Sequence, residues 1–293
     1  MTVEKLNLTR SALPLRRRLT DRVASGLIVG AVLLALLPLA LVTYQVVKAG
    51  AGALSWDFLT DDIPNSFRRR GGGMAPAIVG TLVITGAAAL MAIPLGVLGA
   101  IYLNEYGKTK PLARFIRTMA DVMTGVPSIV MGLFIYTIWV LRFGLSGFAG
   151  ALALACLMLP VVIRSTEEIL RLVPDELRAA SLALGARRWR TTLTVVLPAA
   201  ISGITSGALL AIARAAGETA PLIVTAGVTY AVNPNLFEGE NTALPAQIYR
   251  NATQPFEAAQ ERAWGAALTL VVIVLLFTII ARAISARFAI KEH

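Results

Sequence analysis

Histidine and cysteine are almost missing from this chain. Among 293 residues there is one of each, His293 at the very end and Cys156 inside an apolar run. One cysteine cannot close a disulfide within the chain. The two residues together cannot assemble a His/Cys metal cluster or a Ser/His/Asp triad. No G-x-x-x-x-G-K-[ST] occurs either, so the chain has no such loop to cradle ATP phosphates, and energetic work would need another subunit. Charge is also scarce, at 15% of residues against 56% hydrophobic, with a mean hydropathy of +0.71. A soluble domain needs far more polar surface, so the balance points to an integral membrane protein.

The charge that is present is mostly basic, with a formal net charge of +10. A nucleic-acid binder would gather that charge on one surface. Here Lys and Arg fall in short clusters between apolar stretches, as cytoplasmic loops beside anionic lipid do. The clusters are Arg16, Arg17, Arg18 and Arg22, then Lys108, Lys110, Arg114 and Arg117. Next come Arg164, Arg171, Arg178, Arg187, Arg188 and Arg190, and last Arg282, Arg287 and Lys291.

Crossing a hydrocarbon core of about 30 Å takes about 20 apolar residues. Segments 24–47, 77–102, 120–140, 196–215 and 264–285 qualify, and the shorter 146–163 makes a sixth. The first is too long for a signal-peptide core and reads as an uncleaved anchor. The expected fold is therefore all-α, a polytopic membrane protein of six transmembrane helices with both termini in the cytoplasm. Its parts are a cytoplasmic arm (1–22), a transmembrane domain (23–285) and a cytoplasmic tail (286–293). Loop 216–262 is expected outside. Arg68, Arg69 and Arg70, with Asp57, Asp61 and Asp62 nearby, fall outside against the charge rule, as do Arg142, Arg250 and Arg262. Pro94 and Pro127 lie inside spans, where kinks are tolerated and packing explains them.

The stretch "ELRAASLALGARRWRTTLTVVLPAAISGI" (176–204) lies in a long cytoplasmic loop, about 164–197. It begins amphipathic, with Leu177, Leu182 and Leu184 against Arg178, Arg187 and Arg188. Pro174, Asp175 and Glu176 supply a helix start. Gly185 breaks that helix, and a second short one precedes Pro198, which opens the next span. Such a knob can lie on lipid or enter a groove on a partner, and the residues leave both readings open.

The pattern resembles the EAA loop of ABC importer permeases, E-A-A, three residues, Gly, nine residues, I-x-L-P. Ala180, Gly185, Leu197 and Pro198 match, and Val195 is a near match. Ala179 stands in the glutamate position and Ser181 in that of the second alanine; the nearest acid is Glu176. "MAPAIVGTLVITGAAALMAIPLGVLGAIYLNEYG" (74–107), "ARAAGETAPLIVTAG" (213–227) and "ALPAQIY" (243–249) resemble permeases of phosphate-specific importers of the PstA type. The resemblance spans about 74–285, with "RAAGETAP" its most specific part.

Arg214 and Glu218 stand four apart, a spacing expected to share one helix face with Ala211, Gly207 and Gly203. Small residues let another backbone come close, so that face should meet a helix rather than lipid. At mid-bilayer an arginine costs about 2.5–3.5 kcal/mol on insertion scales. Counting about 1.5 Å per residue from Pro198 puts Arg214 in the outer half of the bilayer. Two readings follow: a snorkelling arginine paired to Glu218 for structure, or an anion station whose planar fork suits phosphate oxygens. The resemblance favours the second.

The resemblance implies a type I ABC importer permease fold and a plasma (inner) membrane subunit of an ATP-driven phosphate importer. Arg214 and Glu218 would serve the substrate pathway, and Glu176, Ala180, Gly185, Leu197 and Pro198 the coupling to an ATPase. The implied partners are a second permease chain in a heterodimer, two ATPase subunits binding ATP and Mg, and an extracytoplasmic phosphate-binding protein. The chain would be no enzyme, hold no cofactor or metal, and meet phosphate and lipid but no nucleic acid. A permease for another oxyanion or small solute fits the same loop. An intramembrane lipid-modifying enzyme is disfavoured by the missing histidine, cysteine and paired-acid constellations.

Overall fold

A computed structural model of the chain describes residues 15–288. Residues 1–14 of the expected arm and 289–293 of the expected tail lie outside the described residues. The chain divides into two units, 1–48 and 49–293. Helix α1 (Leu15–Gly50) makes up the described part of the first unit and runs two residues beyond it. Residues 15–22 are helical and continuous with the first span. Its apolar side chains are exposed all round, as a helix that meets hydrocarbon requires.

The second unit is all helical among the described residues. Helix α2 (Trp56–Thr60) is short and capped by Ser55, whose Oγ accepts from the Phe58 N–H at 3.0 Å. Helix α3 (Ala75–Tyr106) keeps Pro94 inside a continuous rod and ends in a π-helical turn, Tyr102–Tyr106. Helices α4 (Pro111–Gly125) and α5 (Ser128–Phe143) follow, then α6 (Gly147–Leu172), α7 (Asp175–Ala183) and α8 (Arg188–Ala216). The short α9 (Ala220–Thr225) and α10 (Leu244–Ala252) precede the final α11 (Glu257–Phe288).

Among the described residues, five helices are long and apolar enough to cross a membrane, and the pair α4 and α5 makes a sixth if read as one span. That pair departs from the expected span 120–140. The chain bends there by 107°. Pro127 drives Val126 into extended backbone (ψ 128°), and the helix must stop, so the proline breaks the segment instead of kinking it. The short segment 146–163 proves to be the N-terminal part of a 26-residue helix, because α6 runs past the apolar stretch into charged residues to Leu172.

Two further corrections concern boundaries. Pro198 does not open a span: α8 starts ten residues earlier, at Arg188, and is continuous through it. Pro198 has no N–H for the Thr194 carbonyl, and the turn before it widens into a π-helical segment, Thr192–Val196. The stretch 216–262 is also more than a connecting loop. Helix α9 buries Leu222 and Thr225, and α10 buries Leu244, whose N–H donates to Thr81 Oγ1 on α3 at 2.8 Å.

The main core lies where α3, α6, α8 and α9 meet, around Ile84, Ala88, Leu154, Met158, Ala211 and Leu222. Close approach comes from glycines. A Cβ at Gly96 would stand 2.6 Å from Val162 on α6, and one at Gly80 would overlap the Thr242 carbonyl oxygen. A second cluster, with Ala100, Leu170, Val173, Val196 and Ile204, ties α3 to α6 and α8 at the end that carries α7.

Candidate functional site: a charged hub, a hairpin and an arginine pair

The end of the bundle at α7 is held by ions rather than by apolar packing alone. Glu167, on the charged extension of α6, is 2% exposed at its side chain. Its Oε1 accepts from Arg117 Nε on α4 at 2.7 Å and from Arg171 Nη2 at 2.7 Å. Its Oε2 accepts from Arg164 Nη1 at 3.3 Å, and Arg164 also pairs with Asp121. Arg117 reaches the Leu103 carbonyl as well, at 2.9 Å. A buried carboxylate is tolerated only when its charge and lone pairs are met, and three guanidinium groups meet them here.

Arg178 does the same for the hairpin. It pairs with Glu105 on the π-helical end of α3 at 2.9 Å, both side chains being largely buried. Its Nη1 donates to the Val173 carbonyl at 2.6 Å and its Nη2 to the Leu170 carbonyl at 2.9 Å. These carbonyls end α6 and have no partner within that helix, so Arg178 caps α6 while pinning α7 to it. The hairpin closes on itself through the Ser181 and Thr191 hydroxyls, 2.9 Å apart. That contact accounts for Ser181, which an alanine could not replace in kind.

Gly185 makes the turn with φ +84°, a region side chains rarely adopt, and an added Cβ there would meet open space. Glu176 and Ala180 are exposed on α7, where Arg178 and Ser181 alone are partly buried. Leu177, Leu182, Leu184 and Trp189 are exposed too. Leu197 and Pro198 sit apart from them, within α8. Beside the hairpin lies a cleft of about 330 Å³ lined by Lys108, Lys110, Arg178, Arg188 and Glu105 among others.

At the other end of α8, the arginine pair differs from its expected geometry. Helix α8 stops at Ala216, and Glu218 lies in the following turn, its N–H donating to the Ala215 carbonyl at 3.1 Å. Gly217 ends the helix, so the two charges do not share a regular helix face. Arg214 Nε and Glu218 Oε1 are 3.8 Å apart, an ion pair too long for a hydrogen bond. The Arg214 side chain is 65% exposed and Glu218 21%. The Arg214 guanidinium makes no hydrogen bond among the described residues. Leu157, Met158 and Val161 of α6 line the same crevice. The small-residue stripe behaves as expected: a Cβ on Gly203 would stand 2.6 Å from Ile169, and one on Gly207 2.6 Å from Ser165, both on α6.

Sequence reasoning missed Glu167, Glu105, Asp121 and the pairing roles of Arg117 and Arg178. Arg164, Glu167 and Arg171 stand at i−3 and i+4, a spacing legible on any helix. Arg117 to Glu167 crosses 50 positions and Arg178 to Glu105 crosses 73, which only the fold reveals. Arg68, Arg69 and Arg70 gain an account. Arg70 pairs with Glu257, Arg68 lies over the Phe256 ring, and the Arg69 and Phe67 carbonyls accept from buried Arg262. The triplet is tied to the start of α11.

Comparison with known proteins follows the same lines. Residues 92–290 match the family described as binding-protein-dependent transport system inner membrane component. A phosphate transport system permease protein PstA 1 of Mycobacterium tuberculosis (strain ATCC 25618 / H37Rv) is 45% identical over 269 residues, covering 89% of this chain and 86% of its own. A phosphate transport system permease protein PstA of Yersinia pestis is 41% identical over 278 residues, covering 94% and 92%. Among solved structures, a chain of a bacterial alginate ABC transporter superposes with a TM-score of 0.65 at 16% identity, over 95% of this chain and 99% of that one. A chain of the inward-facing MetNI methionine ABC transporter gives 0.60 at 19%, over 74% and 94%. These two share the fold. The chain belongs to the family of inner-membrane components of binding-protein-dependent transport systems.

Proposed function

We propose that this chain is the permease subunit of an ATP-driven phosphate importer, forming part of the phosphate pathway and coupling it to a separate ATPase. The observation that carries the reading is whole-length similarity to phosphate permeases: relatives of that name are 37–47% identical over most of both chains. The exposed guanidinium of Arg214 supplies the chemistry. Its planar fork of N–H donors suits two oxygens of one phosphate, and Glu218 at 3.8 Å orients it without occupying its donors. The carboxylate also lowers the local positive potential, so an arriving anion is attracted but not trapped.

The assembly follows from what the chain lacks and exposes. It has no phosphate loop for ATP, so ATP and Mg belong to a partner ATPase, two copies of which would bind the hairpin end. Exposed Leu177, Leu182, Leu184 and Trp189 offer that partner an apolar contact surface, held rigid by Arg178 and Glu105. A second permease chain would close the pathway on the Arg214 side, and an extracytoplasmic binding protein would deliver phosphate. The hairpin and both termini would be cytoplasmic, on the side of the basic clusters. Uptake of radiolabelled phosphate by cells lacking other phosphate importers tests the reading. Restored uptake, competed by phosphate and not by sulfate or molybdate, is expected. Competition by another oxyanion in preference to phosphate would reassign the substrate.

A further inference from the structure

Helix α4 has three distinct sides. Ala113 and Ala120 are buried against the rest of the chain, and Arg117 reaches inward from that side to Glu167. A second side carries Arg114, Thr118 and Asp121, all exposed. The third is an apolar stripe, Leu112, Phe115, Met119 and Val122, exposed along its whole length. The stripe repeats at i, i+3, i+7 and i+10, the spacing that keeps one helical face apolar.

Orientation says what covers this stripe. Helix α5 is the apolar leg of the broken pair, with Ile129, Val130, Leu133, Phe134 and Ile138 exposed as on a lipid-facing span. At 107° to that leg, α4 lies close to the membrane plane when α5 runs along the normal. The stripe then continues into the exposed side of α5 without an intervening charge, since residues 123–128 contain none. Exposed Lys108, Lys110 and Arg114 stand at its N-terminal margin, where long basic side chains can rise to headgroup level.

We propose that α4 is an interfacial helix that rests on the bilayer leaflet at the hairpin end. Its stripe is sunk at the acyl boundary, and Lys108, Lys110 and Arg114 hold the phosphates of anionic lipid headgroups. Arg117 makes the link matter. The lipid-seated helix hands one of its arginines to Glu167, on the α6 extension that leads directly into the hairpin. Lipid composition would thus bear on the posture of the coupling end. The inference rests on α5 crossing the bilayer, and not on which solute the chain carries.

The test uses the full chain, purified with the subunits that accompany it and carrying Cys156→Ser. Leu112→Cys, Phe115→Cys, Met119→Cys and Thr118→Cys, one at a time, take an environment-sensitive fluorophore. The proteins are reconstituted in vesicles of phosphatidylcholine with phosphatidylglycerol. Nitroxide lipids labelled on the acyl chain should quench positions 112, 115 and 119 well above position 118. Equal quenching at all four, or shielding of the stripe from both lipid nitroxide and aqueous iodide, would overturn the proposal, the latter by showing a protein partner instead. At position 115, nitroxide phosphatidylglycerol should quench more effectively than nitroxide phosphatidylcholine, by roughly threefold or more. Lys108→Gln with Lys110→Gln and Arg114→Gln should bring that ratio to unity, and Arg114→Gln alone should lower it if the triple variant fails to insert. A ratio of one in the unsubstituted margin sinks the headgroup contact. Loss of the preference on adding inorganic phosphate, but not chloride of equal ionic strength, would make the margin a free-phosphate site.

Discussion

Arg117 Nε lies 2.7 Å from Glu167 Oε1, joining the helix that precedes the bend at Pro127 to the helix that carries the hairpin. The pair adds to an apolar cluster that joins the same two helices, in which Ala113 and Ile116 meet Leu159, Ile163 and Leu103. Removing one partner of a buried pair costs about 3–5 kcal/mol where both ions are desolvated, and less here because Arg117 is partly solvated. Glu167→Gln should therefore lower the melting temperature of the purified protein clearly and uncouple ATP hydrolysis from uptake. Arg171→Gln removes only a half-exposed partner of the same carboxylate and should change stability by under about 1 kcal/mol. Equal melting shifts for the two variants would show that Glu167 is no hub.

Glycine contacts separate tight from open positions along α3. A Cβ at Gly80 would overlap the carbonyl oxygen of Thr242, whose backbone is fixed by the Leu244 N–H bond to Thr81. A Cβ at Gly86 would meet nothing. Gly80→Ala should lower the yield of membrane-inserted protein and its melting temperature, with a loss of about 1–3 kcal/mol as for other overpacked sites. Gly86→Ala should be neutral or slightly stabilising, since alanine favours a helix by up to about 1 kcal/mol over glycine. Both would be read by thermal unfolding in detergent, and a harmless Gly80→Ala would contradict the packing of α3 against the 242–244 turn.

The hairpin turn makes a conformational rather than a steric demand. Gly185 has φ +84° in open space, so a valine there strains the backbone without striking this chain. Gly185→Val should leave the protein in the membrane but uncouple ATP hydrolysis from phosphate uptake. Gly185→Asn, better suited to positive φ, should retain most uptake. Ala179 is exposed on α7, so Ala179→Glu should be tolerated. Wild-type uptake by Gly185→Val at normal abundance would remove the docking role from this loop.

Much of this architecture was legible in the residues, and the limits have physical causes. Hydropathy located the spans because a bilayer imposes a length, and Gly203 with Gly207 announced a close helix contact that α6 indeed makes. Periodicity could not find the bend at Val126 and Pro127, since 120–140 stays apolar enough through it and only the backbone restriction before proline breaks it. Helix ends were misplaced wherever a helix outlasted its apolar stretch, as at Leu172 and Arg188. The buried acids escaped notice because Glu105 and Glu167 look like ordinary loop charges until the fold brings arginines to them.

Orientation is open to a direct reading. On the proposed reading the hairpin and both ends are cytoplasmic, on the side of the basic clusters, and the α9–α10 region is outside. Reporter fusions after residues 185 and 293 should be active only as cytoplasmic reporters. A fusion within 230–240, an exposed stretch between α9 and α10, should be active only outside. An externally active reporter at residue 293 would overturn the arrangement.

The arginine pair admits the sharpest test. If Arg214 is an anion station, Arg214→Lys should cut uptake roughly tenfold or more although charge is kept, because an ammonium cannot present the bidentate fork. Arg214→Gln should be worse, losing the attraction and leaving Glu218 without its counter-charge. If the pair is only structural, lysine should largely substitute, since an ion pair this exposed contributes at most about 1 kcal/mol. The exchange Arg214→Glu with Glu218→Arg separates the cases further. It keeps opposite charges adjacent but moves the guanidinium off the end of α8 and into the turn, where position 218 is only 21% exposed. A structural pair should survive the exchange, and an anion station should not. Uptake is measured in cells lacking other phosphate importers, with the membrane abundance of each variant checked. Near-normal uptake by both the lysine variant and the exchange would leave Arg214 no part in phosphate passage.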